Sequence, residues 1–379
     1  MSIKKLMLLG VLAIGGWPSA IAQDSEPLIG WPQEGFYTPY TTQYMVPLNK
    51  EVHFHGLPST YTDDAHQWHW QLPGATPSEA DTQEATVSYA EEGIYNVTVT
   101  LDSKHQQEAV KGLRAGGAAY IWNIATEEKP KLSTIALGWF GYYGGTNWLG
   151  MKKFAEYFHA PGAPAYIDSV AIWFGSYAVA TANAELTVSI ASKGQDGMPG
   201  ETIGSTTLSA GNLVKSTTTP TCFKFDQPIS VDSDFFVVIE GFPDALGDDV
   251  AMLCVRRDYG ETCTVYHLLE DEGPNDQPMG TYSWYPNEDD PASFAISPWL
   301  RYATGSGIRQ SASEPSPVMA LQGRTLILSS PVKHLRIVNA AGALMMESLS
   351  PSSCVDLSGL PQGVYLIQAD DSHTKILIP

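Results

Sequence analysis

Basic residues are scarce in this chain: 21 Lys and Arg stand against 41 Asp and Glu, a formal net charge of −20. A surface of that sign repels phosphate backbones and anionic lipid, which excludes nucleic-acid binding as a main role. Catalytic signatures are missing as well, with no HExxH, no GxSxG, no P-loop and no dinucleotide-binding glycine fingerprint. Acid pairs for glycoside hydrolysis can come from anywhere in a sequence, but here the acids sit in loops without a long α/β scaffold. The chain therefore reads as non-enzymatic. Only four cysteines occur (Cys222, Cys254, Cys263 and Cys354), and none has the CxxC or Cys/His spacing of a zinc site.

No apolar run is long enough for a mature membrane anchor. The run Leu6–Gly16 follows Lys4 and Lys5 and precedes Ala20-Ile21-Ala22, the basic, apolar and small-residue order of a secretory signal peptide over residues 1–22. No cysteine follows the cleavage site, so a lipid anchor is not expected there. An exported chain meets oxidants, and the four cysteines allow three full pairings. Cys254 and Cys263 flank the turn signal Asp258-Tyr259-Gly260, and a bridge across that hairpin is the preferred pair.

What is abundant is short alternation. The segments "EVHFHG", "HQWHWQL" and "ATVSYAEEGIYNVTVTL" alternate apolar and polar residues, with Val97, Val99 and Leu101 on one face and Asn96, Thr98 and Thr100 on the other. This predicts an antiparallel sandwich of about 80 residues, too small to hold an enzyme site. His53 and His55 share a strand face, and His66 and His69 lie close by in sequence. They could ligate a metal only if a partner strand brought them together. The simpler expectation is that Phe54, Trp68 and Trp70 fill the core while the histidines face water. Trp68-x-Trp70, Pro73-Gly74-Ala75-Thr76-Pro77 and Tyr89-x-x-x-Gly93-x-Tyr95-x-Val97-x-Val99 together resemble a PKD domain, over residues 36–112. That resemblance implies an immunoglobulin-like sandwich acting as a spacer or interaction module. The family's acidic glycine turn after the tryptophans is replaced here by "LPGATP", which argues against an ion at that turn.

Residues 126–304 again read almost wholly as strands: "STIALGWF", "YIDSVAIWFG", "AELTVSIAS", "TCFKFDQPISV", "DFFVVIEGF", "DVAMLCVRR" and "SFAISPWLRY". Met151–Phe158 is the one segment with a helical look. Eight or more short strands fit a jelly-roll-like β-sandwich, and their order is similar to accessory jelly rolls of secreted Bacteroidetes proteins. Two clusters here are candidate sites. Trp139, Tyr142, Tyr143 and Trp148 are interleaved with glycines, and rings on a loop can stack on a sugar or bury against a partner. Between residues 231 and 290, fifteen acids face only Arg256 and Arg257. Asp244, Asp248 and Asp249, then Glu270, Asp271 and Asp276, then Asp289 and Asp290 fall in three loops that could offer oxygens to Ca²⁺. They lack EF-hand spacing, and the competing expectation is a solvated acidic surface.

A polar, Ser- and Pro-rich stretch within 305–330 reads as a linker exposed to proteases. Beyond it, residues 331–379 form a strand through Leu335 and Ile337, a turn at Ala340–Gly342, a strand through Val364–Ala369 and a closing run Lys375–Ile378. "NAAG" followed by "DLSGLPQGVYLIQA" and a Lys-Ile ending resembles the type A C-terminal sorting domain of Bacteroidetes type IX secretion. The ending "KILIP" departs from the basic residue that closes most of that family. The resemblance implies a small β-sandwich that engages the secretion machinery and delivers the chain to the outer surface or the medium. The expectation for the whole is an all-β, adhesin-like surface protein. Its partner would be a host or matrix protein, or a glycan held at the aromatic loop.

Overall fold

A computed structural model describes residues 28–303 except 40–43, 58–66, 103–106, 126–127, 182, 261 and 273–276, and residues 318–378 except 323, 329–331, 333, 340–342, 349–353 and 370–371. The expected signal peptide, most of the Ser/Pro-rich stretch, His66 and Asp276 lie outside them. Among the described residues the only helical segments are three short 3-10 turns, and the remaining regular structure is β-strand.

The first sandwich follows the alternation closely. One sheet carries the strands Leu28–Gly30, Glu51–Leu57, Glu84–Tyr89 and Ala75–Thr76; the other is built around Gly93–Asp102 paired with Gln107–Ala115 and Gln67–Gln71. Phe54, Trp68, Trp70, Val97, Val99 and Leu101 fill the space between them. The histidines point outward to acids, His53 to Glu34 at 2.7 Å, His55 to Glu84 at 3.4 Å and His69 to Asp81 at 2.8 Å. Such exposed pairs contribute little to stability.

The second sandwich begins earlier than expected, at Ala118–Tyr120, which pairs with Ile296–Tyr302. Ala165–Ile172 and Thr221–Val231 complete that sheet. The facing sheet runs Pro199–Ser209, Glu185–Lys193, Phe235–Glu240, Lys153–Phe158, Val265–Glu272 and Pro278–Pro286, every neighbour antiparallel. The segment with a helical look is a central strand, Lys153–Phe158. Phe154, Glu156 and Phe158 face the main core, while Ala155 and Tyr157 pack on the other face with Phe236 and Tyr266. A strand covered on both sides loses its alternation, and a glutamate facing inward hides what is left.

The first two sandwiches share a seam. Phe36 and Met45, from the first, are buried in the core of the second. The Phe36 ring stacks on His159 with centroids 4.1 Å apart, and His159 Nε2 lies 2.8 Å from the Gly35 carbonyl. Trp122 N donates to the Tyr37 carbonyl at 3.0 Å and Lys129 Nζ to the Pro39 carbonyl at 2.8 Å. Burying Phe36 and Met45 is worth about 1.5–3 kcal/mol each.

The third sandwich starts at Val318, inside the stretch expected to be linker. Val318–Gln322 and Thr325–Leu328 pair with each other and then with Cys354–Asp356. Leu335–Asn339 lies between Leu344–Ser348 and Gly363–Ala369, with Ser372–Ile378 at the edge. Leu326, Leu328, Leu335, Ile337, Tyr365 and Ile367 form its own core. Ile327 points the other way and is fully buried against Tyr120, Trp122, Trp173 and Trp299 of the second sandwich. The module is thus packed onto its neighbour.

Candidate functional site

The aromatic loop of the second sandwich splits into two pairs. Tyr143 is a core residue, stacked near Phe294 and edge-on to Phe154, with its hydroxyl 3.3 Å from His267 Nδ1. Burial pushes its phenol well above the usual range. Tyr142 is half-buried on the neighbouring position. Trp139 and Trp148, by contrast, stand out at 85% and 58% exposure.

Their position is fixed by the backbone beneath them. Trp148 N donates to the Phe140 carbonyl at 2.9 Å, and Tyr142 N donates to the Thr146 carbonyl at 2.8 Å. Gly141 has φ +94°, and a Cβ there would meet the Thr146 carbonyl at 2.2 Å, so no other residue closes this turn. A Cβ on Gly145 would strike the Val250 carbonyl at 2.1 Å, which shows how closely the loop lies on the strand Asp249–Met252. Thr146 N and Oγ1 bond Val250 and the Pro243 carbonyl, and the buried Asn147 amide bridges Gly145 and Met151. Trp148 Nε1 donates to the Asp244 carbonyl at 3.3 Å, which orients the indole. The Trp148 ring is therefore held in place before anything binds, while Trp139 stands on the 3-10 turn Gly138–Phe140, whose Phe140 N donates to the Leu137 carbonyl at 3.2 Å.

The acids expected to gather calcium have other partners. Asp248 is nearly buried; its carboxylate accepts from Ala180 N at 2.7 Å, Thr181 N at 3.0 Å, Ala245 N at 3.0 Å and the Thr181 hydroxyl. Burial acts to raise its pKa, but these donors outweigh burial and hold the carboxyl below its usual value. Glu270 accepts from Gly280 N, Asp271 from Thr281 and Tyr285, and Asp290 from Arg256. Asp244 and Asp289 face solvent, and Asp249 sits at a strand start. Among the described residues, no three His, Cys, Asp or Glu side chains converge as a metal site, the histidines of the first sandwich included.

Cys254 and Cys263 are not joined. Cys254 lies on a strand that pairs with Ala292–Phe294, not with the segment carrying Cys263. Its thiol donates to the Ser133 carbonyl at 3.2 Å, and that of Cys263 to the Asn287 carbonyl at 3.4 Å. The turn signal at 258–260 does not close a hairpin between them.

Sequence reasoning missed a polar cluster under the seam. Glu156, fully buried, accepts from Asn123 Nδ2 at 2.7 Å, Thr264 Oγ1 at 2.6 Å and Phe294 N at 2.9 Å. Burial lifts its carboxyl to about 7, against the pull of those donors and of Arg257. Arg257 forks onto Glu128 at 2.9 and 3.1 Å and also reaches Ser293 and the Asn123 carbonyl. Asn123, Glu128, His159 and Arg257 line a cleft of about 670 Å³ that also borders Trp31 and Trp122. Glu156 does not line it. A carboxyl poised near neutrality is a signal of chemistry in a cleft, but this one is sealed and every oxygen has donors.

Fold and site together define a multi-sandwich, all-β protein with a preorganised aromatic edge. Residues 36–109 match the PKD domain family, which covers most of the first sandwich. No curated protein is similar to the chain. A solved structure from work on carbohydrate-binding modules of the β-sandwich superfamily is similar at 13% identity over 60% of this chain and 99% of that one, with a TM-score of 0.19. A superposition that loose carries no argument.

Proposed function

We propose that this is a non-catalytic binding protein of the cell exterior, exported through its C-terminal module, whose second sandwich takes a glycan on Trp139 and Trp148. The observation that carries it is the exposure of two tryptophans on a loop pinned by the backbone and side-chain bonds described for Gly141, Thr146 and Asn147. Exposed rings of this size cost solubility unless they bury against something. Rigid rings lose little entropy on doing so. The acidic segment that carries Asp244 touches Trp148 and disfavours an anionic partner, and the flat apolar face of a neutral sugar suits an indole. Glu156, the carboxyl raised toward neutrality, is sealed in the core and cannot touch a ligand at this edge. The PKD match supports a spacer or interaction module beside this sandwich.

The test is a glycan array probed with the full chain, beside Trp139→Ala and Trp148→Ala. Loss of a central aromatic anchor costs about 2 kcal/mol or more, so affinity for the selected glycan should fall about thirty-fold with an unchanged melting curve. Selective binding to matrix proteins, unaffected by either substitution, would sink the glycan reading and leave an adhesin of another kind.

A further inference from the structure

The third sandwich brings a cysteine to a cysteine. Cys354 opens the strand Cys354–Asp356 and pairs with Ile327, the residue that inserts into the face of the second sandwich. Cys222, the second residue of the strand Thr221–Val231, pairs with Ala171 and packs on that same apolar cluster. The two thiols lie within hydrogen-bonding reach of each other, and the Tyr120 hydroxyl contacts both, at 3.9 Å from Cys222 Sγ. Beside them, Thr219 Oγ1 and Thr325 Oγ1 are 3.0 Å apart across the same junction. The docking of the module is therefore set by contacts on both sides of the sulfur pair.

The geometry points to an inter-domain disulfide between Cys222 and Cys354 that locks the C-terminal module onto the second sandwich once the chain meets a disulfide oxidant. Nothing has to move far, because non-covalent packing already holds the sulfurs together. Cys254 and Cys263 are excluded from this pairing, since each thiol is turned to a carbonyl elsewhere. The hydrogen bond to Cys222, together with burial, keeps the Cys354 thiol protonated, so Cys222 supplies the attacking thiolate. That thiolate attacks one sulfur of the oxidant, a thiol oxidoreductase disulfide or oxidised glutathione, and releases the other as a thiolate. Cys354 then gives its proton to water, its sulfur attacks that of Cys222, and the second oxidant thiolate leaves. Two thiols have lost two protons and two electrons, and one oxidant disulfide has become two thiols.

Formation in the cell rests on the export proposed above, whereas closure of the pair in solution does not. The full chain, purified reduced, is incubated with oxidised glutathione, alkylated and digested without reduction for mass spectrometry. The expected product is a peptide containing Cys222 joined to one containing Cys354, with Cys254 and Cys263 alkylated once the protein is unfolded. Cys222→Ser and Cys354→Ser should each abolish the joined peptide, and Cys263→Ser should leave it intact. Alkylation of Cys222 and Cys354 in full, or a bridge between any other pair, overturns the assignment. The same digest of protein recovered from the cell exterior should show the bridge. Closure in solution with a reduced pair in the exported protein would overturn its formation in the cell, while leaving the geometry standing.

Discussion

Replacing Glu156 with glutamine and, separately, His267 with asparagine should uncover two opposed pH dependences in the second sandwich. Burial raises the Glu156 carboxyl from an ordinary 4.5 to about 7. The folded chain thus takes its proton more readily than the unfolded one, and the resulting stability is fully present below pH 4.5 and lost as pH rises through 7. Burial lowers His267 from 6.5 to about 4. Here the unfolded chain takes the proton more readily, so stability is full above pH 6.5 and lost as pH falls through 4. At about 1.36 kcal/mol per pH unit, each linkage integrates to about 3 kcal/mol. Between pH 4.5 and 6.5 the two slopes offset each other, and the parent chain should show only the tilt of its remaining groups. Glu156→Gln should gain about 3 kcal/mol on the parent between pH 4.5 and 7, and His267→Asn should lose about 3 kcal/mol of the acid-side dependence. For a domain of this size that is about 6–12 °C in melting temperature. Denaturant titrations of the full chain at half-unit pH steps, followed by tryptophan fluorescence, measure the differences directly. A parent-minus-variant difference that stays level from pH 5 to 8 would refute the account of Glu156.

Asp248→Ala strips the acceptor from three backbone N–H groups and the Thr181 hydroxyl, and should cost about 2–3 kcal/mol, read by denaturant unfolding. If Asp248 instead served mainly as a cation ligand, the loss would appear only with calcium present. Deleting residues 318–379 should leave the first two sandwiches folded, with a small drop in melting temperature from the uncovered Ile327 site. The truncated chain should accumulate in the periplasm, checked by fractionation and immunoblotting. Normal surface display of that chain would remove the sorting role from the proposal.

Where apolar and polar residues strictly alternate, the sequence shows the fold plainly. Val97, Val99 and Leu101 are buried and His53, His55 and His69 reach outward, as their spacing implies. In the third sandwich Tyr365, Ile367 and Ala369 are buried while Val364 and Leu366 are 37% and 43% exposed, the same period-two pattern. Alternation fails where both faces are covered, which is why Lys153–Phe158 looked helical and Glu156 went unnoticed. Domain edges were also obscured. Ala118–Tyr120 and Val318–Leu328 acquire their role only from strands far away in the chain. The aromatic loop was visible as composition, but its sorting into a buried Tyr143 and an exposed Trp139 and Trp148 depends on turn geometry at Gly141. Cysteine pairing was the least legible, because Cys222 and Cys354 meet only through the docking of two separate cores.

The seam at Phe36 and Met45 has a mechanical side. These residues belong to the first sandwich by chain and to the second by packing, so the first two sandwiches move as one stiff lever instead of two beads on a string. A load passing between the two sandwiches would cross the seam as shear across interlocked side chains. The aromatic edge is then held at a distance and an angle from the first sandwich that the fold itself sets.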